Sequence, residues 1–130
     1  MMATAIEIPL LRTSLTYTDV KLDKSAGNYT EWHRCAKHFL ILTGLSPYVF
    51  GKIPKPAESD KSNLCNWEAN DDLAKALILS TLSCIEWDFA EPSKRAHECW
   101  EGIVAQHKNE GPMKQIQLIR DALSINFTSI

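Results

Sequence analysis

The sequence has 130 residues, 45% of them apolar and 23% charged, and carries a net charge of −2. That length suits one domain, or one lobe with part of a second, and that apolar content excludes a wholly disordered chain. Residues 1–63 hold eight Lys or Arg against six acids and residues 64–130 hold six against ten, so neither half presents the basic face that a nucleic-acid partner requires.

Residues 1–27 read as an irregular or extended N-terminal arm. Ile6, Ile8, Leu10 and Leu11 suit an extended course along a core, and Thr16 to Leu22 suits a short strand. Pro9, Asp23 and Gly27 keep each piece short. Glu7 and Pro9 interrupt the start, which lacks the basic opening and apolar run of a secretory leader. A reducing, cytoplasmic setting is the expectation, with Cys35, Cys65, Cys84 and Cys99 unpaired. Three of these four fall on apolar helical stripes, where small thiols pack as core residues.

Residues 28–110 read as a helical lobe. Asn28-Tyr29-Thr30-Glu31 is close to a capping box, so the first helix starts after Asn28. Trp32, Cys35, Ala36, Phe39 and Leu40 recur at helical spacing, and Gly44 ends the helix. Pro47 opens a short helical turn carrying Tyr48, Val49 and Phe50, which Gly51 stops. Lys52 to Lys61 reads as a surface loop. Asn66 or Asn70 is the expected cap of a central helix that continues through the apolar run Leu73 to Ile85. Leu73, Ala76, Leu77, Ser80 and Cys84 form one stripe of that run; Ala74, Ile78, Leu82 and Ile85 form a second. A segment apolar almost all round has to be covered by neighbours, and it is too short to span a bilayer. Asp71 and Asp72 suit the positive end of this helix, with Asp71–Lys75 as a stabilising pair. Glu86 to Glu91 reads as a connector. Pro92 and Ser93 start the next helix, which buries Ala96, Cys99, Trp100, Ile103 and Val104 and adds a Glu91–Arg95 pair. Residues 111–130 read as a final helix, with Ile116, Ile119 and Leu123 inward, and a tail. The fold expected is all-α: about five helices in a small bundle behind an irregular arm.

The chemistry-bearing residues do not assemble a reaction centre on the sequence. His33, Cys35 and His38 are close, but Cys35 belongs to the core stripe and His33 points elsewhere on a helix. His97 and Cys99 diverge, and there is no C-x-x-C pair. No phosphate loop, dinucleotide fingerprint or serine-nucleophile motif occurs. Lys52, Lys55 and Lys61 near Tyr48 and Phe50 are diluted by Glu58 and Asp60, so a solvated loop accounts for them better than a single-strand-binding track. The expectation is a protein that is not an enzyme, with no cofactor, metal, membrane or small-molecule substrate.

One set of positions forms a recognisable frame: Lys21-Leu22, Asn28-Tyr29-x-x-Trp32, Leu40, Gly44-Leu45, Val49, Gly51 and Pro54-x-Pro56. It continues with Trp67, Asp71, Asp72, Ala74, Ile78, Ala96-x-x-x-Trp100 and Leu118. This frame resembles the Gag polyprotein of copia-type LTR retrotransposons, in the version found in fungal genomes, and covers roughly residues 20–123. The resemblance implies a retroviral-capsid-like N-terminal lobe, a structural role and self-assembly into a particle, with residues 111–130 as the link to a second lobe. The family's zinc-knuckle pattern, C-x2-C-x4-H-x4-C, has no match here. The frame and core positions that matter are Leu22, Asn28, Tyr29, Trp32, Phe39, Leu40, Trp67, Leu77, Ile78, Ala96, Trp100 and Ile103. Tyr48, Val49 and Phe50 form a candidate interaction turn, and the outer faces of the first and fourth helical segments are further candidates. The expected partner is a second copy of the chain. A host-recruited module that binds a protein or peptide between helices, and an RNA-binding fragment of Gag, are the alternative expectations.

Overall fold

The computed structural model describes residues 7–107, and these form a small all-α bundle with no strand among them. The arm runs extended from residue 7 and ends in a turn of 3-10 helix (Lys24–Ala26). Five α-helices follow: α1 (Tyr29–Thr43), α2 (Ser46–Val49), α3 (Lys61–Ser80), α4 (Cys84–Ala90) and α5 (Ala96–His107). The helix expected at 111–123, and with it Leu118, lies outside the described residues, as does Ile6.

Helix α1 buries Trp32, Ala36, Phe39 and Leu40, four of the five stripe positions, while Cys35 is half-buried. Gly44 closes it in the left-handed conformation at φ +81°. Asn28 precedes the helix, but its side chain does not cap it. Its amide faces back to the arm, accepting from the Asp23 N–H at 3.0 Å and donating to the Lys21 carbonyl at 2.9 Å. Asn28 therefore fastens the arm to the start of α1. Gly51 follows α2 at φ +68°, and the His97 imidazole lies 3.2 Å from where a Cβ would stand. The left-handed backbone favours glycine there, and any side chain would also have to push the His97 ring aside by a few tenths of an ångström.

The central helix differs from the expectation at both ends. It begins at Lys61, before either asparagine expected to cap it, because Lys61 to Leu73 contains no breaker and both asparagines have partners outside the helix. It ends at Ser80 rather than Ile85. There the arm intervenes: the Leu22 N–H donates to the Thr81 carbonyl at 2.9 Å, and the Ser83 N–H donates to the Leu22 carbonyl at 3.0 Å. These bonds form an isolated parallel bridge between Leu22 and Leu82 in place of the expected strand from Thr16 to Leu22. The chain turns at the bridge and starts α4, so the expected connector at Glu86 to Glu91 is mostly helix. Leu82 stays buried, whereas Cys84 and Ile85 are exposed. Pro92 and Ser93 occupy the α4–α5 connector rather than the first turn of α5.

Helix α3 packs against α1, α2 and α5. Its buried face is Trp67, Asn70, Asp71, Ala74, Leu77, Ile78 and Leu79, at helical spacing but with two polar residues in it; Leu73 is half-buried and Ala76 exposed. The fully covered Trp32 ring meets Trp100 of α5 at 5.2 Å, and its Nε1–H donates to Thr81 Oγ1 at 3.0 Å. Leu22, Trp32, Thr81 and Trp100 thus join the arm, α1, the α3–α4 turn and α5. No helix among the described residues is long and apolar enough to cross a membrane.

Candidate functional site

The two polar residues on the buried face of α3 hold other parts of the chain. Asn63, Asn66 and Asn70 recur at i, i+3 and i+7, which places them along one side of a helix. Each binds the main chain of the arm. Asn63 Oδ1 accepts from the Ile8 N–H at 2.9 Å, and Asn66 Nδ2 donates to the Ile8 carbonyl at 2.9 Å. Asn70 Oδ1 accepts from the Leu11 N–H at 2.7 Å, while its Nδ2 donates to the Pro9 carbonyl and to the Tyr48 hydroxyl, each at 2.8 Å. The three amides do for the arm what a neighbouring strand would do, satisfying donors and acceptors of an extended segment. Ile8 is buried and Leu11 half-buried beside them, while Pro9 and Leu10 face outward.

Asp71, also buried, accepts from the Ala96 N–H at 3.2 Å. It supplies from another helix the acceptor that the first turn of α5 needs. Burial raises its carboxyl above the usual carboxylate range, against the opposing pull of the Ala96 N–H and Arg95. One turn on, Lys75 Nζ donates to the Glu91 carbonyl at 2.6 Å and to the Ser93 carbonyl. Asp71 and Lys75 therefore hold both ends of the α4–α5 connector. Arg95 lies over the Trp67 ring at 5.1 Å, and Glu91 accepts from the Trp87 indole.

An open depression of about 340 Å³ lies beside this connector, lined by Trp67, Glu68, Asp71, Asp72, Lys94 and Arg95. It brings no histidine, thiol or hydroxyl nucleophile together with a base. The buried acid–base pair elsewhere is Glu86 with His107: Nε2 is 2.8 Å from one carboxylate oxygen and 3.2 Å from the other, with the Tyr29 ring stacked on the imidazole. That pair joins α4 to α5 inside the bundle. His33 lies against the Tyr29 and Trp100 rings, and burial, with Lys37 adding, holds its imidazole below its ordinary value. Among the described residues no group of three or more His, Cys, Asp or Glu is placed to hold a metal ion.

The frame residues converge on the core: Leu22, Trp32, Phe39, Leu40, Trp67, Leu77, Ile78, Ala96, Trp100 and Ile103 are buried. Tyr29 packs at its edge and Asn28 serves the arm. The candidate interaction turn does not present the surface expected of it. Tyr48 and Val49 are buried, and Phe50 is half-buried with its ring edge-on to Trp100. Of the cysteines, Cys99 alone is buried; Cys65 and Cys84 are exposed. The open apolar side chains lie elsewhere. On α1, Ile41 is 52% and Leu42 60% exposed; on α4, Ile85 is 80% and Phe89 51% exposed. The outer face of α5 is polar around His97, Glu98 and Glu101. The α4 face was hidden in the sequence because Ile85 read as the end of the buried central helix.

No family model matches this chain, and neither the curated proteins nor the solved structures contain a significant match to it.

Proposed function

We propose that the chain is a non-enzymatic, capsid-like lobe that works by associating with copies of itself, as the resemblance of its residue frame to copia-type Gag implies. The observation that carries the reading is the contrast between a filled core and a bare face on α4. Ile85 and Phe89 stand four residues apart on one side of that helix and face water. Two such side chains make a weak contact singly, and a repeating assembly multiplies weak contacts. The exposed Ile41 and Leu42 offer α1 as a second contact in such an assembly.

Size-exclusion chromatography with light scattering, across a concentration series, tests the reading. The wild-type mass is expected to rise above the 14.7 kDa monomer with concentration, and an Ile85→Asp/Phe89→Asp double variant to remain monomeric for longer. A wild-type protein that stays monomeric up to its solubility limit refutes the proposal. The alternative reading, a module that binds a partner's peptide, is favoured by the asparagine row on α3, which already holds an extended main chain.

A further inference from the structure

We propose that Asn63, Asn66 and Asn70 form a main-chain-reading site that accepts residues 8–11 from its own chain or from a second copy, so that copies join by exchanging arms. This rests on the self-association reading and names a contact for it other than the α4 face.

The asparagines engage the N–H and carbonyl of Ile8, the carbonyl of Pro9 and the N–H of Leu11. These bonds depend on an extended segment with the right spacing, which the same segment of another copy supplies identically. Specificity comes from Ile8, the side chain of this stretch that is buried. The arm's second anchor is separate. Tyr17 is buried edge-on to Phe39 at 5.2 Å, and Leu22 is locked to the α3–α4 turn. Between the anchors, Arg12, Ser14, Leu15 and Thr16 are exposed and Thr13 is half-buried. The hydrogen bond from the Leu15 N–H to Thr13 Oγ1 is local to this connector. Residues 8–11 can therefore leave their site while Tyr17 and Leu22 keep theirs. Five connecting residues reach roughly 20 Å when extended, which confines exchange to copies lying side by side. An exchanged pair keeps the same four arm bonds per site as two closed monomers, so its formation depends on concentration and on the geometry of the connector.

The test uses full-length variants with broken halves. Ile8→Asp leaves the asparagine row intact but carries an arm that cannot seat. Asn63→Ala/Asn66→Ala carries a normal arm and a broken row, with Asn70 kept for Tyr48. Mixed together, the two have one good arm and one good site between them; the double variant keeps only the two Asn70 bonds to its own arm, so the full set of four forms only between the two proteins. Labelled with a donor and an acceptor fluorophore, the mixture is expected to associate at least about tenfold more tightly than wild type with wild type, because docking in trans no longer displaces an arm in cis. The expectation holds equally with Ile85→Asp/Phe89→Asp added to both proteins, which separates arm exchange from the α4 contact. Circular dichroism confirms that each variant is helical; if Ile8→Asp is not, Ile8→Gly replaces it. A mixture no tighter than wild type overturns arm exchange and leaves association through α4 standing. The proposal is also overturned if unrelated extended peptides bind the Ile8→Asp protein as tightly as a synthetic peptide of residues 7–12, since the site would then not select the chain's own arm.

Discussion

Replacing Asn70 by alanine is expected to destabilise the protein by about 3 kcal/mol, an unusual loss for a polar-to-alanine change. The side chain is fully covered and makes three hydrogen bonds, to the Leu11 N–H, the Pro9 carbonyl and the Tyr48 hydroxyl. A typical intramolecular bond contributes about 1 kcal/mol net, and leaving a buried partner unsatisfied adds to that. Leu11 and Pro9 lie in an arm with one side open to water, so their groups can rehydrate. The Tyr48 hydroxyl is buried and cannot. Asn66→Ala removes one bond to the arm and should lose only about 1 kcal/mol; Asn63→Ala removes one bond to the arm and a second to the Asp60 carboxylate, so Asn66→Ala is the cleaner comparison. Urea unfolding followed by circular dichroism, extrapolated to water, resolves the difference. Asn70→Asp sharpens the test: the carboxylate still accepts from Leu11 and can accept from the Tyr48 hydroxyl turned to donate, but it faces the Pro9 carbonyl with no donor and buries a charge, so at neutral pH it should destabilise the protein. In acid, protonation restores a donor and part of the stability. A loss no larger than about 1 kcal/mol for Asn70→Ala would refute the view that this residue fastens the arm to the bundle.

Trp32→Ala should lose roughly 3–5 kcal/mol, and Trp32→Phe about 1 kcal/mol beyond its change in packing, through the bond to Thr81; equal losses by urea titration would contradict that division. Cys65 and Cys84 should react with a thiol reagent at once, and Cys35 more slowly. Cys99, buried and with its thiol pushed up to about 11, should react only as the protein unfolds; early reaction of Cys99 in a timed assay would count against its burial. The His33 pKa is lowered in the fold, so the folded state binds fewer protons there than the unfolded chain. Its contribution to stability is present above 6.5 and is lost as pH falls through the lower folded value. Asp71, raised by burial, acts oppositely: its contribution is present in acid and is lost as pH rises. His33→Phe should therefore show a smaller fall in melting temperature than wild type between about pH 8 and about pH 5, and an identical fall would refute the assignment. A chelator should leave the melting temperature unchanged.

Helix α1 was legible in outline because its buried stripe repeats at 3.6 residues against a face that is polar through Glu31, Arg34, Lys37 and His38, and a glycine ends it. The α3–α4 break was not legible. Leu73 to Ile85 is largely apolar, and it contains no glycine or proline to signal a stop. What ends α3 is Leu22, about sixty residues earlier in sequence, whose two main-chain bonds hold the turn at Thr81 to Ser83. A long-range contact of that kind leaves no periodic trace. Misplacing the break also misassigned Cys84 and Ile85 to the interior, concealing the exposed face. The asparagine row was present at i, i+3 and i+7, but local propensity pointed the other way. Asparagine favours helix starts, so Asn66 and Asn70 read as caps, and recognising them as a row required knowing that the helix had already begun at Lys61.

The placement of polar residues on α3 has a consequence for how the molecule holds itself together. Apolar side chains at 63, 66 and 70 would cover Ile8 and Leu11 as well as asparagines do. Apolar cover, however, does not fix the position of an extended segment along a groove, since sliding it exchanges one greasy contact for another. Four hydrogen bonds to particular N–H and carbonyl groups do fix it. The same holds one turn on, where Asp71 and Lys75 bind main-chain groups at either end of the α4–α5 connector. Helix α3 is therefore a core element on one side and, through five side chains from Asn63 to Lys75, a frame that sets the register of two other segments. The arm it positions carries the Leu22 that breaks the apolar run and turns α4 outward. Removing the asparagine row should thus loosen residues 8–11 first while Leu22 still holds the turn, an order that amide hydrogen exchange at Leu11 and Ser83 reads directly.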